Sequence, residues 1–300
     1  MAAQKEYEEL IKNGTLCQKA NYAGISAPYA PIPITTYVFK GICSITNDEF
    51  HTWNLIRTGL SPIPQMHHCP MCTKPIDTSN LNHWLSCNFS QSNRTNTHHD
   101  IKRVLVRGAS QTNQGRVVNE PPHLLSDVNS GSRLQPDFAI YGGVGDTISG
   151  RTYDFTVITP TATSVIDKIR STVRDQRGTP GLIPVLESTK IAEAEKNNHY
   201  RNSARAINFS FTPLVMEATG GMSKTLRKLL RDWTLERSAL GITYDTKDLV
   251  KEVSYTLLRG QTKLLNNWLA KVHAIQAGRA QRGTYVRGGY HQRNFNSPRR

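Results

Sequence analysis

Four soft donors fall within one short stretch of the chain. The segment CPMCTKPIDTSNLNHWLSC places Cys69 and Cys72 two residues apart, His83 ten residues further on, and Cys87 three residues after that. A C-x-x-C turn can put two thiolates on one ion, and a His and a Cys four apart share a face of a helical turn. Four such ligands close tetrahedrally on Zn2+. With all four positions supplied by protein, the site reads as structural, with no coordination place left for catalysis. Two alternatives stay open: His67 or His68 takes one ligand's place, or the cysteines are small buried hydrophobes and His83 a surface residue. Five cysteines in total, three of them here, argue for metal ligation over a disulfide framework.

A second set of residues suits hard-metal chemistry. Asp137 follows a proline at the head of the apolar run DFAIY, and Asp154 lies inside the next one, TYDFTVI. An unpaired buried carboxylate is costly, so both positions demand a positive partner. If the two runs pair antiparallel with Tyr141 near Thr152, the acids fall about two rows apart on one face, on the order of 7 Å. Two carboxylates, water and a phosphate oxygen make a Mg2+ site of the kind that polarises a phosphodiester and activates water. Such a site also needs a cation against the developing charge, and Lys196, in the helical stretch IAEAEKNNHY, is the candidate.

These residues require a frame. Residues 1–49 read as a lead-in that ends in a proline-interrupted linker, ISAPYAPIPITTY. DEFHTWNLIRTGL has helical spacing and leads through SPIP to the cysteines, giving a unit over 50–100. DIKRVLVRGA is ambiguous between helix and strand, and QTNQGRVVNEPPHLLSDVNSGSR reads as loop. DFAIY and TYDFTVI form a hairpin across a glycine-rich loop, SVIDKIRSTVRDQ and VLESTKIAEAEKNNHYRNSARA are helical, and INFSFTPLVM is a strand. The expectation is an α/β (α+β) mixed sheet core over 101–219, helices over 220–277, and a disordered tail over 278–300 with six arginines and no acid.

A formal charge of +14 points to a polyanionic partner. No stretch approaches a membrane span and the N-terminus has no signal-peptide core, so the expected setting is intracellular and the four N-x-S/T matches carry no weight. The basic tail interleaves Tyr285, Tyr290 and Phe295 with arginines such as Arg279, Arg282 and Arg287, a composition suited to single-strand or RNA contact. A membrane surface is the weaker partner, because the basic residues are not gathered opposite an apolar helical face.

The order of these features resembles the restriction-like endonuclease domain of site-specific, early-branching non-LTR retrotransposons, a branch of the PD-(D/E)XK superfamily. The resemblance covers about 50–221. It is carried by LIRTGL, the CCHC set Cys69, Cys72, His83 and Cys87, RTNTHHD, Pro136-Asp137, Asp154 in YDFTV, Ala192, Lys196 and Tyr200 at four-residue spacing, and FTPLVMEATGG. It implies a nuclease core behind a CCHC zinc knuckle, with Asp137 and Asp154 binding catalytic Mg2+ or Mn2+. Lys196 would replace the lysine that many relatives keep two residues after the second acid, here Thr156, with Tyr200 beside it. It also implies DNA contact or site assembly by Arg94, His99 and Asp100, and a nuclear setting. The partners would be a DNA target, an element RNA and a reverse transcriptase in cis or trans, for which the nick leaves a 3′-hydroxyl primer. The chain has one residue fewer between His83 and Cys87 than relatives usually carry, and no adjacent Asp-Asp pair, so it reads as a fragment of such an element or a stand-alone descendant. A catalytically inactive nucleic-acid-binding protein is the alternative. A nucleocapsid-like packaging protein is a third reading, disfavoured because it has no use for the acids and lysine in nuclease order.

Overall fold

The computed structural model describes residues 8–10, 12–31, 45–77, 79–112, 114–122, 124–125, 134–142, 148–175, 183–241 and 249–288, with side chains to 171 in the helix that ends at 175 and to 278 in the last helix. The elements run α1 Leu16–Ile25, α2 Asn47–Thr58, α3 His83–Ser86, a 3-10 turn Asn88–Ser90, α4 Gln91–Ser110, β1 Arg116–Asn119, β2 Phe138–Tyr141 and β3 Gly150–Ile158. They continue with α5 Thr163–Asp175, α6 Glu187–Ala206, β4 Phe209–Glu217, α7 Lys224–Ala239 and α8 Leu249–Gly288.

The four strands form one mixed sheet in the order β1-β2-β3-β4. β1, β2 and β3 pair antiparallel, while β4 runs parallel to β3 from Gly150↔Phe209 to Ile158↔Glu217. Alternation along the strands sorts the two faces. Phe138, Ile140, Tyr153, Phe155, Leu214 and Met216 point into the main core, against α4, α7 and α8. Ala139 and Phe209 face the other way and pack with Tyr200 and Ala204 of α6. The protein is thus a mixed α/β structure in which the sheet carries helices on both faces.

Helix ends follow from local chemistry. Thr46 and Glu49 cap α2 reciprocally, and Gly59 ends it in the left-handed conformation that its missing Cβ permits. Thr15 and Gln18 do the same at the start of α1. The stretch treated as a lead-in is therefore built into the fold: Cys17, Ala20 and Ala23 are buried with Val165, Ile166 and Ile169 of α5.

Three other expectations change. DIKRVLVRGA belongs to the 20-residue helix α4, whose buried Thr97, Ile101, Val104, Leu105 and Gly108 recur at helical spacing. RVVN, expected to be loop, is the edge strand β1, short and only half buried, which weakens its alternation signal. The tail expected to be disordered from 278 carries α8 as far as Gly288; residues 289–300 lie outside those described.

Candidate active site and metal centre

The hairpin forms, in a different register. Phe138 pairs with Tyr153 and Tyr141 with Gly150, a register that, continued one residue before β2, sets Asp137 level with Asp154 and not two rows away. β2 supplies four residues and β3 nine, leaving the end of β3 without a β2 neighbour. Asp137 fills the first vacated place, its Oδ2 accepting from the Phe155 amide at 2.7 Å. Its Oδ1 accepts from His98 Nε2 of α4 at 3.1 Å. A carboxylate can only accept, so Nε2 carries the proton. Burial alone would raise the Asp137 carboxyl, but the His98 bond and charge, the Phe155 amide and Lys102 outweigh it and hold it below the ordinary value.

Asp154 lies on the face towards α6, where Lys196 is ion-paired to its Oδ2. Burial raises its carboxyl, and the Asp137 charge adds to that, against the lowering effects of Lys196 and Tyr200. The Tyr200 phenol, raised by its own burial and by Asp154, stays protonated and donates to the Gln135 carbonyl at 3.5 Å. The first turn of α6 is pinned by a buried carboxyl at the end of β4: Glu217 accepts from Ser188 Oγ at 2.5 Å and from Thr219 Oγ1 at 3.1 Å. That anchor fixes the height of Lys196 two turns on. The structure therefore brings Asp137, Asp154, Lys196 and Tyr200 together and adds His98, which the sequence reading passed over for its neighbour.

Past Asp137, the space beside the unpartnered end of β3 opens into a cavity of about 270 Å3, bounded by His98, Thr156 and Thr159 on one side and by Arg94, Gln261 and Leu264 on the other. Arg94 does not project to solvent. It donates to the carbonyls of Cys87 at 2.6 Å and Leu85 at 3.3 Å, tying α4 to the cysteine segment. Asp100 pairs with Arg103 at 2.9 Å, and His99 stands edge-on to His98 with ring centroids 5.4 Å apart. The side chains of Arg279, Arg282 and Arg287 lie outside those described.

The Cys/His cluster is assembled by short-range geometry. Cys69 and Cys72 lie in a tight turn closed by Thr73 N–H on the Cys69 carbonyl at 2.8 Å and by Cys69 N–H on the Lys74 carbonyl at 2.9 Å. α3 is a single turn with Cys87 at its C-cap, so His83 and Cys87 meet across it. His83 Nε2 lies 3.1 Å from Cys72 Sγ, while Asn80, anchored on the Pro75 carbonyl, lies 3.1 Å from Nδ1. The four ligand atoms all fall within 4.8 Å of one another, a grouping able to hold a metal ion. Three sulfurs and one imidazole nitrogen are consistent with zinc. His67 and His68 are exposed and lie outside the cluster. Burial above all pushes the Cys87 thiol up to about 12, raises Cys72 and lowers His83 to about 4, so thiolates form here only against a cation. The cluster packs with Ile56, Trp84, Leu265 and Trp268 in a second core between α2 and α8.

No protein-family model matches the chain, and no curated protein matches it.

Proposed function

We propose that the protein is a metal-dependent DNA endonuclease with a PD-(D/E)XK core and a CCHC zinc knuckle, of the kind found in non-LTR retrotransposons. The observation that carries this reading is the placement of Asp137, at the mouth of β2 and bonded to the Phe155 amide, beside Asp154 of β3, with Lys196 against the second acid. A bound Mg2+ or Mn2+ would polarise the scissile phosphate and lower the pKa of its water. Asp137 and Asp154 would hold that ion. Asp137 is kept ionised and oriented by His98 and the Phe155 amide, each of which occupies one lone pair and leaves others free. Lys196, about 30 % exposed, can turn from Asp154 to the phosphate as charge develops there. Nicking would leave a 3′-hydroxyl able to prime reverse transcription by a partner, and the +14 charge would supply non-specific affinity for DNA.

Nicking of supercoiled plasmid with Mg2+ or Mn2+ tests the reading. Asp137→Ala and Asp154→Ala should each lower the rate by at least about 100-fold, an electrostatic loss of the usual catalytic size, with DNA binding retained or tightened. Lys196→Ala should slow the chemical step more than it weakens binding. Cutting retained in both Asp variants would sink the assignment.

One observation favours a second reading. The charge of both acids is already balanced by protein groups, His98 and Lys102 for Asp137 and Lys196 for Asp154. Such a pair can serve stability alone, on a scaffold that binds nucleic acid without cutting it. Wild-type protein that shifts DNA in a gel and never nicks it, with either metal, would select this reading.

A further inference from the structure

The outer seam between α4 and α8 gathers amide and basic side chains. The two helices cross closely at Gly260, where an added Cβ would collide with the Thr97 side chain. Along that crossing lies an open groove of about 510 Å3, walled by Asn93, Asn96, His99, Asp100 and Arg103 of α4 and by Lys263, Asn266 and Asn267 of α8, with the Asp100 carboxylate neutralised by Arg103 at 2.9 Å. Asn267 donates to Asn93 at 3.0 Å, and Lys271, one turn further and past the groove's lining, donates to the Phe89 carbonyl at 3.0 Å in the 3-10 turn before α4. Phe89 is 52 % exposed there, an unusual place for a phenylalanine ring beside a lysine and a row of amides. Lys263 has no ion pair or hydrogen bond among the described residues.

Each feature points to one class of ligand. Amide side chains donate and accept without a fixed charge, which suits sugar and base edges as well as phosphate. Lys263 and Lys271 are eight residues apart on one helix, about 12 Å at 1.5 Å per residue. Two ammonium groups that far apart meet different phosphates of one strand. An exposed ring at the end of a polar, cationic track is the arrangement on which an unpaired base stacks, whereas in a duplex the faces of the bases are covered by their neighbours.

We infer that this groove is a binding track for single-stranded nucleic acid, with Phe89 as the stacking platform and Lys263 and Lys271 as phosphate contacts. The inference rests on the nucleic-acid reading above and gives it a strand preference and a path. The track runs along the same α4 helix that presents His98 to the acidic pair, so a strand held there lies one helix face away from the cavity beside β3.

Fluorescence anisotropy with a labelled 20-nucleotide dT strand and a 20-base-pair duplex, on the full chain, tests it. Phe89→Ala should weaken single-strand binding about ten-fold, in the range measured for one stacked base, and leave duplex binding within about two-fold. Lys263→Ala, on an exposed side chain with no folding role, should flatten the slope of log affinity against log salt for the strand by about 0.7, the value for one phosphate contact. Wild-type affinity and slope in both variants overturn the track, as does an equal loss for strand and duplex, which would make the seam a general anion surface. Plasmid nicking by the same variants separates the two proposals. Wild-type protein that nicks while Phe89→Ala and Lys263→Ala bind normally keeps the nuclease and removes the track. Protein that never nicks but binds the strand through Phe89 keeps the track and removes the nuclease.

Discussion

The Cys/His cluster and the acidic pair both lie against α4, one before its first turn and the other beside its middle, and they handle buried charge in opposite ways. The acids come with their counter-charges. Asp137 has His98 and Lys102, and Asp154 has Lys196, all supplied by the fold. The cysteines interact with one another and with backbone amides, and Arg94, whose charge is felt by Cys87, makes its hydrogen bonds to the carbonyls of Cys87 and Leu85. A region of the first kind is balanced within the protein; one of the second kind would form its thiolates only against a cation.

The comparison can be broken at its strongest point by removing the soft metal. Stripping zinc with a chelator, or Cys87→Ser, should abolish stoichiometric zinc and lower Tm by about 10 °C or more, since a structural site contributes several kcal/mol of folding free energy. Metal analysis with calorimetry reads both. Removing Mg2+ should leave Tm unchanged, and a large Mg2+ dependence would erase the contrast.

The acids themselves divide. Asp137→Asn should cost about 2 kcal/mol at pH 7, because an amide NH2 then faces a donor that the carboxylate accepted. The Asp137 carboxyl is held below its ordinary value, so its contribution is present above that value and is lost as pH falls through the folded one. Urea unfolding over a pH series should show the gap between wild type and variant closing on acidification. Asp154→Asn should do least, under about 1 kcal/mol, since replacing a buried charge by a neutral isostere relieves desolvation as it removes attraction. Its sign is reversed. With the Asp154 carboxyl raised in the fold, wild-type stability falls relative to the variant as pH rises from the ordinary value through the raised one. Two gaps that move together with pH would mean that the pair titrates as one unit.

What could be read from sequence follows the range of the interactions. The cluster was legible because its geometry is set inside one turn and one helical turn, with ligands from 69 to 87. The strands around the acids were legible as alternating runs, but their register was not, because it depends on the conformation of the connection between Gly142 and Ser149. His98 could have been found by taking the stretch before Ile101 as one continuous helix, which places 98 beside the buried row at 97, 101 and 104. Reading DIKRVLVRGA as an isolated segment hid that row. The burial of Lys102 has no local signal at all, since its partner Glu120 comes from the turn after β1.

The last helix has a consequence for how the molecule comes into being. α8 supplies Val253 and Leu257 to the main core and Leu264, Leu265, Trp268 and Val272 to the core around the cysteines. While the ribosome is still making these residues, Phe155, Trp233 and Trp84 have no lid over them. Synthesis of the 24 residues from 249 to 272 takes roughly 1–5 s at about 5–20 residues per second. For that interval the nascent chain presents two uncovered apolar surfaces at once, and it depends on whatever holds them apart until a single element closes both.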